Sequence, residues 1–153
     1  MNDVLKGILQ SNRVTDGTES LPLHSAMSEE EGEVISKVFT AVKPDVSLEV
    51  GFAYGISTLY VCDALAQNRK DSKHIIIDPE QTTSWRGIGI KNIARAGYRH
   101  LIDLHEERSE IALPIFFPKE QGYRSRSSMD GTPLIMPLLI FSTSIRCWMS
   151  EAL

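Results

Sequence analysis

The residues of this chain best suited to chemistry lie in Glu49-Val50-Gly51-Phe52-Ala53-Tyr54-Gly55-Ile56-Ser57 and at Asp78. A short apolar run carries a carboxylate near its end, a turn with glycines four apart follows, and a helix-favouring segment begins directly after it. Strand, tight turn and helix N-terminus in that order form the place where α/β folds bind nucleotide-like ligands. The glycines let backbone pass close to a ligand with no Cβ in the way. The pattern is not the G-x-G-x-x-G of dinucleotide sites, because the glycines are four apart and an acid precedes the first by two. Asp78 follows Gly51 by 27 residues, about one βαβ unit, and ends the apolar run His74-Ile75-Ile76-Ile77. An acid at such a strand tip can accept both hydroxyls of a ribose. Alone, Asp78 reads equally well as a turn or capping acid before Pro79; beside the glycine motif the ribose role is favoured.

The elements that must position these residues are legible as a βαβ series. Ser28 followed by Glu31 is a capping-box helix start with acids on the positive helix end, and Val34, Ile35, Val38, Phe39 and Val42 supply its apolar face. Pro44 closes that helix, Val46 to Val50 is the first strand, and Ile56, Leu59, Tyr60, Ala64 and Leu65 continue the crossover helix. A third helix is expected to open at Thr83-Ser84-Trp85 and to stop at Gly97. Leu101 to His105 reads as the third strand and Ile111 to Pro114 as one helical turn. Ahead of all this, Val4, Leu5, Ile8 and Leu9 fall at helical spacing, Asp16-Gly17-Thr18 reads as a turn and Leu21 to His24 as extended chain. His24 has no partner at ligand spacing and reads as structural or solvent-facing, and Trp85 reads as core filler.

The totals bound the answer. A chain of 153 residues is one domain by the usual prior, and its net charge of -4 gives no reason to propose nucleic acid. Cys62 and Cys147 show neither metal spacing nor a disulfide framework, and Cys62 reads as a small core residue. No apolar signal core stands at the N-terminus and no run is long enough to span a membrane, so the expectation is a cytoplasmic protein without a membrane partner.

From about Leu21 to Pro114 the chain resembles the class I S-adenosylmethionine-dependent methyltransferases, especially small O-methyltransferase-like members. The likeness rests on S-E-E-E-G, E-V-G-F-A-Y-G-I-S, I-I-I-D-P, W-R-G-I-G-I and H-E-E-R-S-E-I-A-L-P, in that order. It implies a Rossmann-like, doubly wound, mostly parallel α/β fold with S-adenosylmethionine as cofactor, a small-molecule methyl acceptor and the option of a homo-oligomer. By that resemblance Glu49 holds the methionine amino group directly or through water. Backbone around Gly51, Ala53, Tyr54 and Gly55 lines the methionine part with Ser57 nearby, Asp78 binds the ribose, and Ser109 flanks the adenine. The resemblance assigns no catalytic residue and no metal ligand.

Past Pro114 the pattern changes, which divides the chain into a lead segment (1–20), a cofactor-binding half-domain (21–114) and an aberrant tail (115–153). The family places a strand ending in Asp-Gly next; here 121–128 is polar and unpatterned, and Thr132 to Ile145 carries no charge and contains Pro133 and Pro137. Read two nucleotides further on, the codons for Ser128 to Ile135 permit D-G-W-H-T-F-D with the glycine forced, and Tyr123 to Ser128 permits S-F-A-F-I before it. The expectation is therefore a reading frame lost between about Ile115 and Tyr123, an incomplete sheet whose first strand is left as an edge, and an impaired methyltransferase. A divergent tail forming a real fourth strand at Leu134 to Phe141 is the alternative, against which the two prolines weigh. Two other functions stand beside the leading one: a non-enzymatic cofactor-binding half-domain completed by a partner chain, and a dinucleotide oxidoreductase.

Overall fold

The computed structural model describes residues 1–24, 26–68 and 71–116, together with the backbone of 138–142. Helix α1 (Asp3–Ser11) leads into a hairpin of β1 (Arg13–Thr15) and β2 (Ser20–Pro22); α2 (Glu29–Val42), β3 (Val46–Val50), α3 (Ile56–Gln67) and β4 (Lys73–Ile77) follow. Then come α4 (Ile88–Arg95), a 3₁₀ turn at Arg99–Leu101, β5 (Ile102–His105), α5 (Ser109–Phe116) and β6 (Leu138–Ser142). The main sheet is parallel in the order β5-β4-β3-β6. Strand order therefore runs outward from β3 in both directions, and the turn after β3 sits at the topological switch point where open α/β sheets bind ligands.

The sheet separates two cores by the period-two alternation of its strands. Leu48 and Ile77 pack with Ala112 of α5, flanked by Val50, Ile75, Leu113 and Phe116. On the opposite face Ile76 joins the larger cluster built by α1 to α4, including Leu5, Phe39, Leu59, Leu65, Ile88 and Ile93. Helices thus cover both faces, as the doubly wound expectation requires. The first 20 residues contribute Leu5, Ile8 and Val14 to this same core.

The α2 start forms as expected. Ser28 Oγ accepts from the Glu31 N–H at 3.3 Å and Glu31 Oε2 accepts from the Ser28 N–H at 2.8 Å. Its buried face differs from the expected one: Val34, Val38 and Val42 are 58%, 38% and 44% exposed, whereas Gly32 and Phe39 are buried and Ile35 is half-buried. The helix meets α3 through Gly32, which lies against the Tyr60 ring, and Ser36, which donates to the Tyr60 carbonyl at 3.4 Å. Close approach at the glycine selects the 32-35-36-39 stripe over the valine stripe.

Three further expectations are corrected. The third helix begins at Ile88, not Thr83; residues 79–87 form turns that end at Gly87, whose φ of 66° caps α4. Arg13–Thr15, outside every expected element, is a strand because it pairs with Ser20–Pro22 across the Asp16-Gly17 turn. The first strand is not an edge, since β6 pairs with β3 from Val46↔Leu138 to Val50↔Ser142. Pro133 and Pro137 both precede β6 in the sequence, and so do not exclude the strand.

Candidate functional site

The turn after β3 places residues of positive φ alternately: Gly51 at 90°, Ala53 at 48° and Gly55 at 76°. Gly51 at that value is glycine's own region, and Ala53 is held in the left-handed well by its surroundings. Those surroundings are three buried polar side chains. Asp78 Oδ2 accepts from the N–H groups of Phe52 (2.8 Å) and Ala53 (2.9 Å), while Oδ1 accepts from the Glu80 N–H at 2.9 Å. Gln81 Nε2 donates to the Ala53 carbonyl at 2.9 Å and its Oε1 accepts from the Gly89 N–H at 3.1 Å. Asn92 Nδ2 donates to the Tyr54 carbonyl at 3.0 Å. Turn, β4 tip and α4 are thereby one hydrogen-bonded unit.

Consecutive N–H groups in such a turn form a concave anion site. In this chain the anion is the protein's own Asp78 carboxylate. A carboxylate offers about four acceptor positions, so three backbone donors leave Asp78 room for about one more, on Oδ1.

Glu49 lies one layer below. Ser47, Glu49 and His74 point toward α3, all without exposed surface. Ser57 Oγ donates to Glu49 Oε1, Thr58 Oγ1 donates to Oε2 at 2.6 Å, and His74 Nε2 meets Oε2 at 3.0 Å. Ser47 Oγ lies 2.8 Å from His74 Nδ1. The order Ser47–His74–Glu49 has the composition of a nucleophilic triad, but a nucleophile with no exposure cannot reach a substrate. Its chemistry is to lock the floor of the turn and the first turn of α3.

Tyr54 turns its ring to the other side of the loop. Its hydroxyl is 2.7 Å from His24 Nε2, and its ring meets Trp85 edge-on at 5.1 Å between centroids. His24, read as structural or solvent-facing, is exposed yet bonded to the glycine turn, and its ring centroid is 6.0 Å from that of Trp85. Burial pushes the Tyr54 phenol pKa up, partly offset by the Arg86 guanidinium. Arg86 is itself held at 3.3 Å by Asp16 and at 2.9 Å by Glu19 from the hairpin tip.

Of the residues singled out in the sequence, Gly51, Ala53, Tyr54, Gly55 and Asp78 come together in one bonded unit, and Glu49 and Ser57 form a second unit beneath it. Ser109 opens α5 past the end of β5, at the same sheet edge. No hydrogen bond among the described residues joins its side chain to the others. Sequence reasoning missed Gln81, Asn92, His74 and His24. Asn92 alone left a local signal, a polar residue on the buried helical face of Ile88 and Ile93. No cluster of three metal-ligating side chains occurs among the described residues, and no described helix is long and apolar enough to cross a membrane.

A methyltransferase-domain family matches residues 48–130, more than half of the chain. No curated protein matches it. Among solved structures, an O-methyltransferase from Bacillus cereus, in complex with SAH, superposes at a TM-score of 0.59 with 19% identity, over 76% of this chain and 49% of that one. The O-methyltransferase TomG from Streptomyces achromogenes, involved in tomaymycin synthesis and solved with SAM, gives 0.63 and 20%, over 99% of this chain and 60% of that one. The SAH-bound methyltransferase PaMTH1 from Podospora anserina gives 0.61 and 16%, over 75% and 46%. The chain thus spans about half the length of the first of these structures, and at such identities the likeness carries the fold, a Rossmann-like α/β sheet. With the family match covering the glycine turn, the β4 tip and α4, the chain belongs to the methyltransferase-domain family.

Proposed function

We infer that this chain binds S-adenosylmethionine at the turn after β3 and serves methyl transfer to a small-molecule acceptor. The observation that carries the reading is the Asp78 carboxylate seated on the Phe52 and Ala53 N–H groups. A dinucleotide site needs that concavity for its pyrophosphate. A turn whose anion position is filled by a side chain suits a ligand with a ribose and no phosphate, which S-adenosylmethionine is.

When bound, the cofactor supplies an electrophilic methyl group on a sulfonium; the residues of this chain supply position. Asp78 accepts one ribose hydroxyl through Oδ1 without releasing the turn. The N-terminal amides of α3, at the positive end of a twelve-residue helix, face the carboxylate of the methionine part. Glu49 has three of its about four acceptor positions taken by Ser57, Thr58 and His74, and the one left on Oε1 accepts from the ammonium directly or through water. Ser109 flanks the adenine from the β5 edge.

Calorimetric titration of the full chain with S-adenosylmethionine and with NAD is the test. The expected result is a Kd at or below about 100 μM for the former and no measurable heat for the latter. Tighter NAD binding would replace this reading with an oxidoreductase.

The tail from 115 to 153 enters the same reading as out-of-frame sequence that impairs the acceptor side. Resequencing across the codons for Leu113 to Met129 should reveal a single-base insertion or deletion; an intact frame retires this part of the reading. A half-domain completed by a second chain is the other reading, favoured by the exposed Val34-Val38-Val42 stripe. It requires sedimentation as a dimer that binds the cofactor, where a monomer eliminates it.

A further inference from the structure

We propose that Gln81 is a positioning residue of the cofactor site: by holding the Ala53 carbonyl it aims the Tyr54 N–H, the amide that the glycine turn leaves for a ligand. The inference deepens the methyltransferase reading and rests on it. From Gly51 to Gly55 the other amide donors are spent within the protein. Gly51 N–H donates to the Ile77 carbonyl at 2.9 Å and Gly55 N–H to the Phe52 carbonyl at 2.7 Å, while those of Phe52 and Ala53 donate to Asp78 Oδ2. Among the described residues no acceptor meets the Tyr54 N–H.

The direction of that N–H is set from the other end of its own peptide. The described peptide bonds are all trans, so the Tyr54 N–H points away from the Ala53 carbonyl across the peptide plane. Gln81 Nε2 donates to this carbonyl at 2.9 Å, and its Oε1 accepts from the Gly89 N–H at 3.1 Å. One end of the amide meets a carbonyl and the other an N–H, so a single orientation satisfies both. Gln81 has no exposed surface, and its own carbonyl accepts from the Gly87 N–H at 2.7 Å. Asn92 holds the next carbonyl, that of Tyr54, by one bond only, since its Oδ1 is buried without a partner. Gln81 is therefore the firmer of the two anchors.

Ala53 makes the anchor necessary. Its φ of 48° lies in the left-handed well, which an alanine disfavours. With Gln81 in place the Tyr54 N–H joins the first amides of α3 on the carboxylate of the methionine part. Without it the Ala53–Tyr54 peptide is free to turn over, which carries the N–H away and brings a carbonyl oxygen to face that carboxylate.

The test is the Kd of the full chain for S-adenosylhomocysteine with Gln81→Met or Gln81→Glu, divided by the Kd of the parent at the same pH. Methionine keeps the length and donates nothing, so its ratio should be at least about 10 throughout. The carboxyl introduced by Gln81→Glu accepts from Gly89 in either state but donates to the Ala53 carbonyl only when protonated. Its ratio should fall from at least about 10 near about pH 9 to within about 2 near about pH 5, as the buried carboxyl gains its proton. Gln81 acting on the packing of α4 alone would move the urea midpoint with pH and leave the ratio flat. A pH-independent ratio for Gln81→Glu, or a ratio within about 2 for Gln81→Met, overturns the proposal alone, and either variant decides if the other does not fold. Failure of the parent chain to bind S-adenosylhomocysteine overturns the methyltransferase reading and this proposal with it.

Discussion

Asp78 binds three backbone donors that belong to two separate loops, and the consequence can be measured. Each hydrogen bond to a charged acceptor contributes about 1.5–3 kcal/mol, more than a neutral one. Asp78→Asn keeps the shape but replaces one oxygen with a donor that faces other donors. The expected outcome is a loss of about 2 kcal/mol in urea unfolding and at least a 10-fold weaker Kd for S-adenosylmethionine. His74 makes a contrasting case one layer below. Its removal leaves the buried Glu49 Oε2 with the Thr58 hydroxyl alone, and leaving a buried charged acceptor short of a partner costs about 1–3 kcal/mol or more. His74→Ala should therefore destabilise the fold by about 3 kcal/mol, and Ser47→Ala, which removes only the outer hydroxyl, by about 1 kcal/mol. Equal effects of the two substitutions would show that His74 does not act through Glu49.

At the scale of elements, the approach of α4 to the glycine turn is the close fit that holds the site together. A Cβ at Gly89 would stand 2.7 Å from the Ala53 carbonyl oxygen, 2.9 Å from the Phe52 ring and 3.0 Å from Gln81 Oε1. The carbonyl is backbone and cannot turn aside. Gly89→Ala should cost about 1–3 kcal/mol and reduce cofactor affinity, measured by thermal melting and calorimetry. Gly97→Ala, where a Cβ meets nothing within 4 Å, separates the steric effect from the backbone one: its φ of 81° makes it destabilising without touching affinity. These elements also show how far a sequence speaks. The capping box at Ser28 and Glu31, the strand at Val46 to Val50 and the glycine turn depend on neighbours within a few residues, and they were legible. The face of α2 was not, because Gly32 against Tyr60 is a contact between helices, and a glycine carries no hydropathy signal for it. Likewise Ser47 pairs with His74, and His24 with Tyr54, only once the parallel register and the hairpin have brought distant segments together. Glu49 was legible as a carboxylate just ahead of the glycine turn, but its engagement by three buried partners belongs to that same non-local geometry.

For the molecule as a whole, the acids that resist ionisation gather on or against α3, the helix at the centre of the larger core. Burial is the largest cause in each case. It raises the Cys62 thiol well above its ordinary 9.0, aided by Glu49 and Asp63, and it raises Tyr54 and Tyr60 above the ordinary 10.0. Tyr98 is raised further still, because its hydroxyl also donates to Asp63 at 2.8 Å. All four shifts have the same sign. The folded state holds these protons more tightly than the unfolded chain, so their contribution to stability is complete below the ordinary values and is lost as pH rises toward the folded ones. Urea midpoints followed by circular dichroism should therefore begin to fall near pH 9.0, where unfolded Cys62 ionises, and fall more steeply past 10.0, where the tyrosines join it. Cys62→Ala lowers the whole curve by the cavity it leaves, but it should also move the onset to the tyrosine range, and that displacement isolates the thiol from the cavity. A midpoint that stays level to about pH 11 would mean that these groups ionise alike in the folded and unfolded chain, and that α3 is not the dry centre its burial describes.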